Sequence, residues 1–213
     1  MKRFTATVVK KSYEIILFTF VIGLTLSACS IIHTPHSDYC QYLKNNEGKI
    51  EKAQVAQSTS YVIDTATQNH RYEFRSVMTG AANLWVVEFG KILDTTLESK
   101  DYRNAFKSLA KAGPTTDSEL LINFHLNDYK FEGFQAKVNL SVKADYQNKT
   151  IVDKTYEADG ISQGGKMFWG GVFAMKNAIQ QSTKSAVDEI LLRFIVDFSV
   201  VRLETCKQEV MGM

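Results

Sequence analysis

From Leu120 to Ala158 apolar and polar residues take turns almost without interruption. Leu120, Ile122, Phe124 and Leu126 fall on one face, with Asn123, His125 and Asn127 on the other. Ala136, Val138, Leu140, Val142, Ala144 and Tyr146 then alternate with Lys137, Asn139, Ser141, Lys143 and Asp145. A period of two predicts strands packed on one side and wet on the other. Gln147-Asn148-Lys149 predicts a tight turn, and a return strand at about 150–158 sends Val152, Tyr156 and Ala158 inward. Upstream, Tyr61, Val62 and Ile63, then Tyr72, Phe74 and Ser76 among charged neighbours, predict strand character between Tyr61 and Met78. From Ala81 to Leu97 the period lengthens. Trp85, Phe89, Ile92, Leu93 and Thr96 recur at helical spacing, and Tyr102, Ala105, Phe106 and Leu109 predict a second short helix ending before Ala112-Gly113-Pro114. Val172 to Phe198 predicts a long helix with Met175, Ile179, Ala186, Ile190, Phe194 and Phe198 as its buried stripe. Asp38 to Gln57 is polar, with room for a helical turn or two. The order β-α-β-β-β-α predicts an α+β fold: an antiparallel sheet of about four strands with helices packed on one face.

The first residues follow neither period. Met1-Lys2-Arg3 and Lys10-Lys11 precede a twelve-residue apolar core, Ile15 to Leu26. A spanning helix needs roughly 20 apolar residues, so a cleaved signal peptide over residues 1–28 is expected. Leu26-Ser27-Ala28-Cys29 resembles the lipobox of bacterial lipoproteins. The resemblance implies lipid attachment at Cys29: diacylglycerol on the thiol, cleavage before it, and an N-acyl chain such as palmitate on the new terminus. Several acyl chains hold a protein on a membrane far more firmly than one. Residues 29–37 are then expected as a lipidated tether and 38–213 as a single domain. Ser30 is not acidic, which in such lipoproteins implies the outer membrane, facing the periplasm.

Charge adds an exclusion. Four of the 25 basic and one of the 23 acidic residues lie before Cys29, leaving 21 and 22. A near-neutral mature chain offers no basic stripe for nucleic acid. Cys40 and Cys206 remain near its two ends, and termini often meet in a domain, so a possible disulfide joins them in an oxidising compartment.

Gly160 to Lys166 has the G-x-x-x-x-G-K spacing of a phosphate loop, but Met167 stands where a magnesium-binding hydroxyl is required. No nucleotide is expected. His33, His36, Asp38 and Cys40 match no zinc spacing, and no metal is expected. His70 and His125 sit in no nucleophile or metalloprotease motif, and Asp153, Glu157 and Asp159 line a wet strand face. No catalytic residue and no cofactor beyond the acyl chains are therefore expected. Met167, Phe168 and Trp169 lie between Gly164-Gly165 and Gly170-Gly171. They form either a cap on the core or a glycine-shaped partner-contact loop. The Trp85, Phe89, Ile92 stripe is either core or one wall of a lipid-binding groove.

Phe89-Gly90-Lys91-Ile92-Leu93-Asp94-Thr95-Thr96-Leu97, then Leu120 to Phe124, the hairpin Lys137 to Tyr156, and the last helix with Asn177-Ala178-Ile179-Gln180-Gln181 resemble small bacterial envelope lipoproteins. The group includes YajG-type lipoproteins, ABC-transport auxiliary lipoproteins and the lipopolysaccharide-assembly lipoprotein. The resemblance spans about residues 71–198. It implies a non-catalytic, membrane-anchored accessory or docking subunit of a transport or assembly complex, with an envelope protein as partner. The alternative is a periplasmic carrier of a lipid-like ligand.

Overall fold

The computed structural model describes residues 30–48, 55–113, 118–163 and 167–211, the side chains of 167–169 and 203–211 excepted. The fold is α+β. Its main sheet has five strands in the order β5-β2-β6-β7-β8: β2 (Val55–Ile63), β5 (Phe106–Lys111), β6 (Leu120–Glu132), β7 (Gln135–Tyr146) and β8 (Lys149–Asp159). β6, β7 and β8 form the antiparallel meander that alternation predicts. Both turns are two-residue loops with positive φ at each position, Gly133-Phe134 and Gln147-Asn148. That geometry matches the twist of the flanking strands. The expected all-antiparallel sheet is corrected by β2, which pairs in parallel with both β5 and β6.

A second sheet, β1-β4-β3, consists of β1 (Ile31–His33), β4 (Asn83–Val87) and β3 (Tyr72–Arg75). Trp85 therefore belongs to a strand. The expected helix 81–97 divides into β4 and the helix α3 (Phe89–Leu97). Val86 and Val87 are β-branched and the strand is buried on both faces, so it shows a continuous apolar run rather than an alternation. The second expected helix divides likewise into α4 (Lys100–Ala105) and β5.

The expected tether folds. After β1 comes a 3-10 turn, Pro35–Asp38, then α1 (Tyr39–Lys44), whose Tyr39 and Leu43 enter the core. Gln180 Nε2 donates to Pro35 O and Asp38 Oδ1, both at 2.7 Å, and Lys176 pairs with Asp38.

These partners lie on α5 (Met167–Met211), a long helix bent at Gly171, where φ of 51° and ψ of −129° interrupt the helical backbone. Such a φ suits glycine. Beyond the bend, all six residues of the expected stripe are buried against β7 and β8. Gly160 shows why that packing is close. A Cβ there would stand 1.7 Å from Ser182 O, so its smallness serves helix-on-sheet contact. Two polar links cross this interior. Lys184 pairs with Asp188, which also accepts from Tyr102 Oη, and Tyr129 Oη lies 2.9 Å from Thr183 Oγ1. Burial and the Asp188 charge push the Tyr102 hydroxyl well above its ordinary pKa, keeping it a donor.

Candidate functional site

Three surfaces carry chemistry, and the first is the end where the described chain begins. Ser30 Oγ accepts from Arg75 Nη2 at 2.8 Å, and Arg75 Nη1 donates to Ala81 O at 2.6 Å. β1 lies parallel to β4, with Ile31 opposite Asn83 and His33 opposite Trp85. The His33 ring stacks on Trp85 with centroids 4.7 Å apart, and its Nε2 lies 2.7 Å from Asn83 Oδ1. Trp85 Nε1 in turn donates to Thr79 Oγ1 at 3.1 Å. Thr79 closes a 3-10 turn, Val77–Thr79, that packs against α5. This end is firmly built, yet it displays Ile31, Ile32, Val77 and Met78 at 56, 58, 98 and 44% exposure.

The second surface surrounds the bend of α5. The backbone of Met167 to Gly170 is helical, which corrects the expected loop to a short helical segment before the bend. The side chains of Met167, Phe168 and Trp169 lie outside the described residues, so neither expected role is decided. Phe173, just past the bend, is 76% exposed. Beside it, a cavity of about 390 Å³ is lined by Tyr42, Asn46, Gln163, Asn177 and Gln181 with two alanines. Burial raises the Tyr42 hydroxyl to about 12, with the Asp188 charge adding to it.

The third surface is the open face of the main sheet. Asn127 Nδ2 donates to Asn139 Oδ1 and Ser141 Oγ, Asn139 Nδ2 donates to Glu157 Oε1, and Ser141 and Thr155 share a hydrogen bond of 2.8 Å. His125 bonds to Asp64, and Ser141 is its direct cross-strand partner. Asp, His and Ser thus come together, a grouping that chain order conceals. Their bonds run elsewhere. Ser141 Oγ is taken by Asn127 and Thr155, and Asp64 Oδ1 accepts from Thr67 N at 2.6 Å, capping α2 (Thr65–Gln68). Burial works to raise the Asp64 pKa, but the bonds from Thr67 and His125 outweigh it and hold the carboxyl below its ordinary value. A nucleophile needs a base bonded to it, and among the described residues the bonds of Ser141 Oγ go to Asn127 and Thr155 instead. Asp153 borders a small hollow next to Lys143 on the same face.

The remaining expected residues are dispersed. The signal peptide, residues 1–28, and Cys29 lie outside the described residues. Cys40 is a free, exposed thiol. Asp38 is fixed beside Lys176 and Gln180, whereas Cys206 lies far along the same helix. The side chain of Cys206 lies outside the described residues, so the possible Cys40–Cys206 disulfide is not decided. His33 and His36 are held by Trp85 and Glu88 rather than by a tether, and among the described residues no His, Cys, Asp or Glu cluster could hold a metal ion. Burial lowers the His36 pKa, opposed by Glu88. The stripe expected to line a lipid groove, Trp85, Phe89 and Ile92, is fully buried in core. Among the described residues no helix is long and apolar enough to cross a membrane.

No family model and no curated protein matches this sequence. Solved structures similar to it include protein XCC0632 from Xanthomonas campestris, described under the family model DUF330, at 11% identity over 79% of this chain and 96% of that one, with a TM-score of 0.47. The hypothetical protein CT253 from Chlamydia trachomatis is 12% identical over 67% of this chain and 96% of that one, with a TM-score of 0.35.

Proposed function

We propose that this chain is a bacterial lipoprotein, anchored through acylated Cys29 on the periplasmic side of the outer membrane. It acts without catalysis as an accessory or docking subunit of a transport or assembly complex. The sequence Leu26-Ser27-Ala28-Cys29 after a charged start and an apolar core carries this reading. The first described residue, Ser30, is exposed, which is compatible with an anchor just before it. The covalent acyl chains are the only non-protein group that the reading requires, and the expected partner is a protein of the envelope.

Metabolic labelling with a palmitate analogue tests the anchor. Wild-type protein takes up label and sediments with outer membranes, while Cys29→Ser stays unlabelled and leaves that fraction. Label on Cys29→Ser overturns the anchor, and an inner-membrane location overturns the address. Cross-linking from intact membranes tests docking, and recovery of the chain without any cross-linked envelope protein counts against it.

A further inference from the structure

The cavity beside the bend of α5 plays no part in the docking reading, and its lining has a chemistry of its own. Ala174, Asn177, Ala178 and Gln181 stand three and four residues apart, so they share one face of α5. Alanine at 174 and 178 leaves room that longer side chains would occupy. Tyr42 and Asn46 close the cavity from α1 and the turn after it, and Gln163 closes it from the segment after β8. The frame is tied down. Ser162 Oγ donates to Phe134 O at 2.6 Å, Gln163 N to Gln181 Oε1 at 3.0 Å, and Asn46 Nδ2 to Tyr42 O at 2.8 Å. The Tyr42 ring stacks on Tyr39, which is fully buried. Charged residues make up 23% of the chain, yet none lines this cavity. The hollows around Lys143 differ, being bordered by Asp64, Glu119, Asp145 and Asp153.

We propose that this cavity binds a neutral sugar unit. The site goes beyond the docking reading and does not depend on the anchor. A hydroxyl offers one donor and two acceptor lone pairs, and a side-chain amide offers an acceptor and two donors. Neighbouring sugar hydroxyls are therefore matched by amides, which both give and take. Gln181 uses Oε1 in the frame and keeps Nε2, while Tyr42 Oη and the Asn177 amide have no partner among the described residues. Burial keeps the Tyr42 hydroxyl protonated, so it donates as well as accepts. Tyrosine also joins an apolar ring to a polar tip, which complements a sugar ring with C–H faces and a hydroxylated rim. A charged ligand is disfavoured, because an ion among neutral groups loses water without gaining a counter-charge. The volume of about 390 Å³ falls within the roughly 300–1,000 Å³ of small-molecule sites.

The test is nuclear magnetic resonance of the full chain, with isotopically labelled amides, purified in a detergent that carries no sugar. The probes are N-acetylglucosamine and its linked trimer. The side-chain amide signals of Asn177 and Gln181 are expected to move in a saturable way at millimolar sugar. Asn177→Ala and Tyr42→Phe remove groups that hold nothing in the fold, so each should keep the parent melting temperature and bind several-fold more weakly. Tighter binding of the monomer supports the site and names a free sugar, and tighter binding of the trimer supports it and names a glycan chain. No saturable shift on folded protein, or unchanged affinity in both variants, overturns the proposal. An equal response to glucuronate overturns the neutral preference, and an equal response to an uncharged blocked dipeptide assigns the cavity to backbone amides instead.

Discussion

The open face of the main sheet and the end formed by β1 and the Val77–Thr79 turn are both exposed, and they are made in opposite ways. On the sheet face, Asn127, Asn139, Ser141, Thr155 and Glu157 bond to one another across three strands. The polar groups of that face are spent on one another. At the β1 end the hydrogen bonds are spent on holding backbone segments together, and the side chains left outside are aliphatic. Exposure alone does not distinguish a contact from a solvated surface. The chemistry of what is exposed, and the rigidity beneath it, does.

Substitutions sharpen this contrast. The largest effect is expected where the β1 end is fastened to α5. Asp38→Ala removes an acceptor from the buried Gln180 amide and the partner of Lys176, and should cost about 1–2 kcal/mol in denaturant unfolding. Burial favours the neutral Asp38 carboxyl, but the bonds from Lys176 and Gln180 dominate and lower its pKa. Its contribution is therefore present above the unfolded value of about 3.9 and disappears as pH falls through the lower folded value. An Asp38→Asn variant should flatten that acid limb. Next comes Asp64→Ala, which removes the cap of α2 and the partner of His125; about 1 kcal/mol is expected. On the sheet face, Asn139→Ala and Ser141→Ala should each change stability by less than about 0.5 kcal/mol. A loss above about 2 kcal/mol would mean that the ladder is structural and would break the contrast. The smallest effect is expected for Val77→Asp, whose side chain is almost wholly exposed and whose replacement should leave the melting temperature unchanged.

Much of this was legible in the chain because it obeyed a single period. The stripe from Met175 to Phe198 and the hairpin of β7 and β8 are read directly from it. β6 shows where the period fails. A bulge between Leu126 and Asp128 leaves Asn127 unpaired and moves the inward set from Ile122, Phe124 and Leu126 to Tyr129 and Phe131, so the strand outruns its first alternation. Trp85 and Phe89 are four residues apart and imitate a helical turn, although a strand ends and a helix begins between them. β5 has no strand signature in Phe106–Lys111, being an edge strand with one partner. The β1 end was invisible for a different reason. β1 becomes a strand only by pairing with β4, Ile31 lying opposite Asn83, and no local pattern encodes such a meeting.

The parallel pairing of β2 has a consequence in time. β6, β7 and β8 are joined by two-residue turns and can zip locally, whereas β2 meets β6 only through pairs such as Thr59 with Leu120. Closing long loops carries an entropic cost that short hairpins avoid, so contacts distant in sequence tend to form late. The C-terminal half should therefore act as a template on which the N-terminal half condenses, and pulse-labelled hydrogen exchange should protect amides of β7 before those of β2. A chain made from its N-terminus would thus present β1 first and organise it last, while the residues of α5 that fasten it are still arriving.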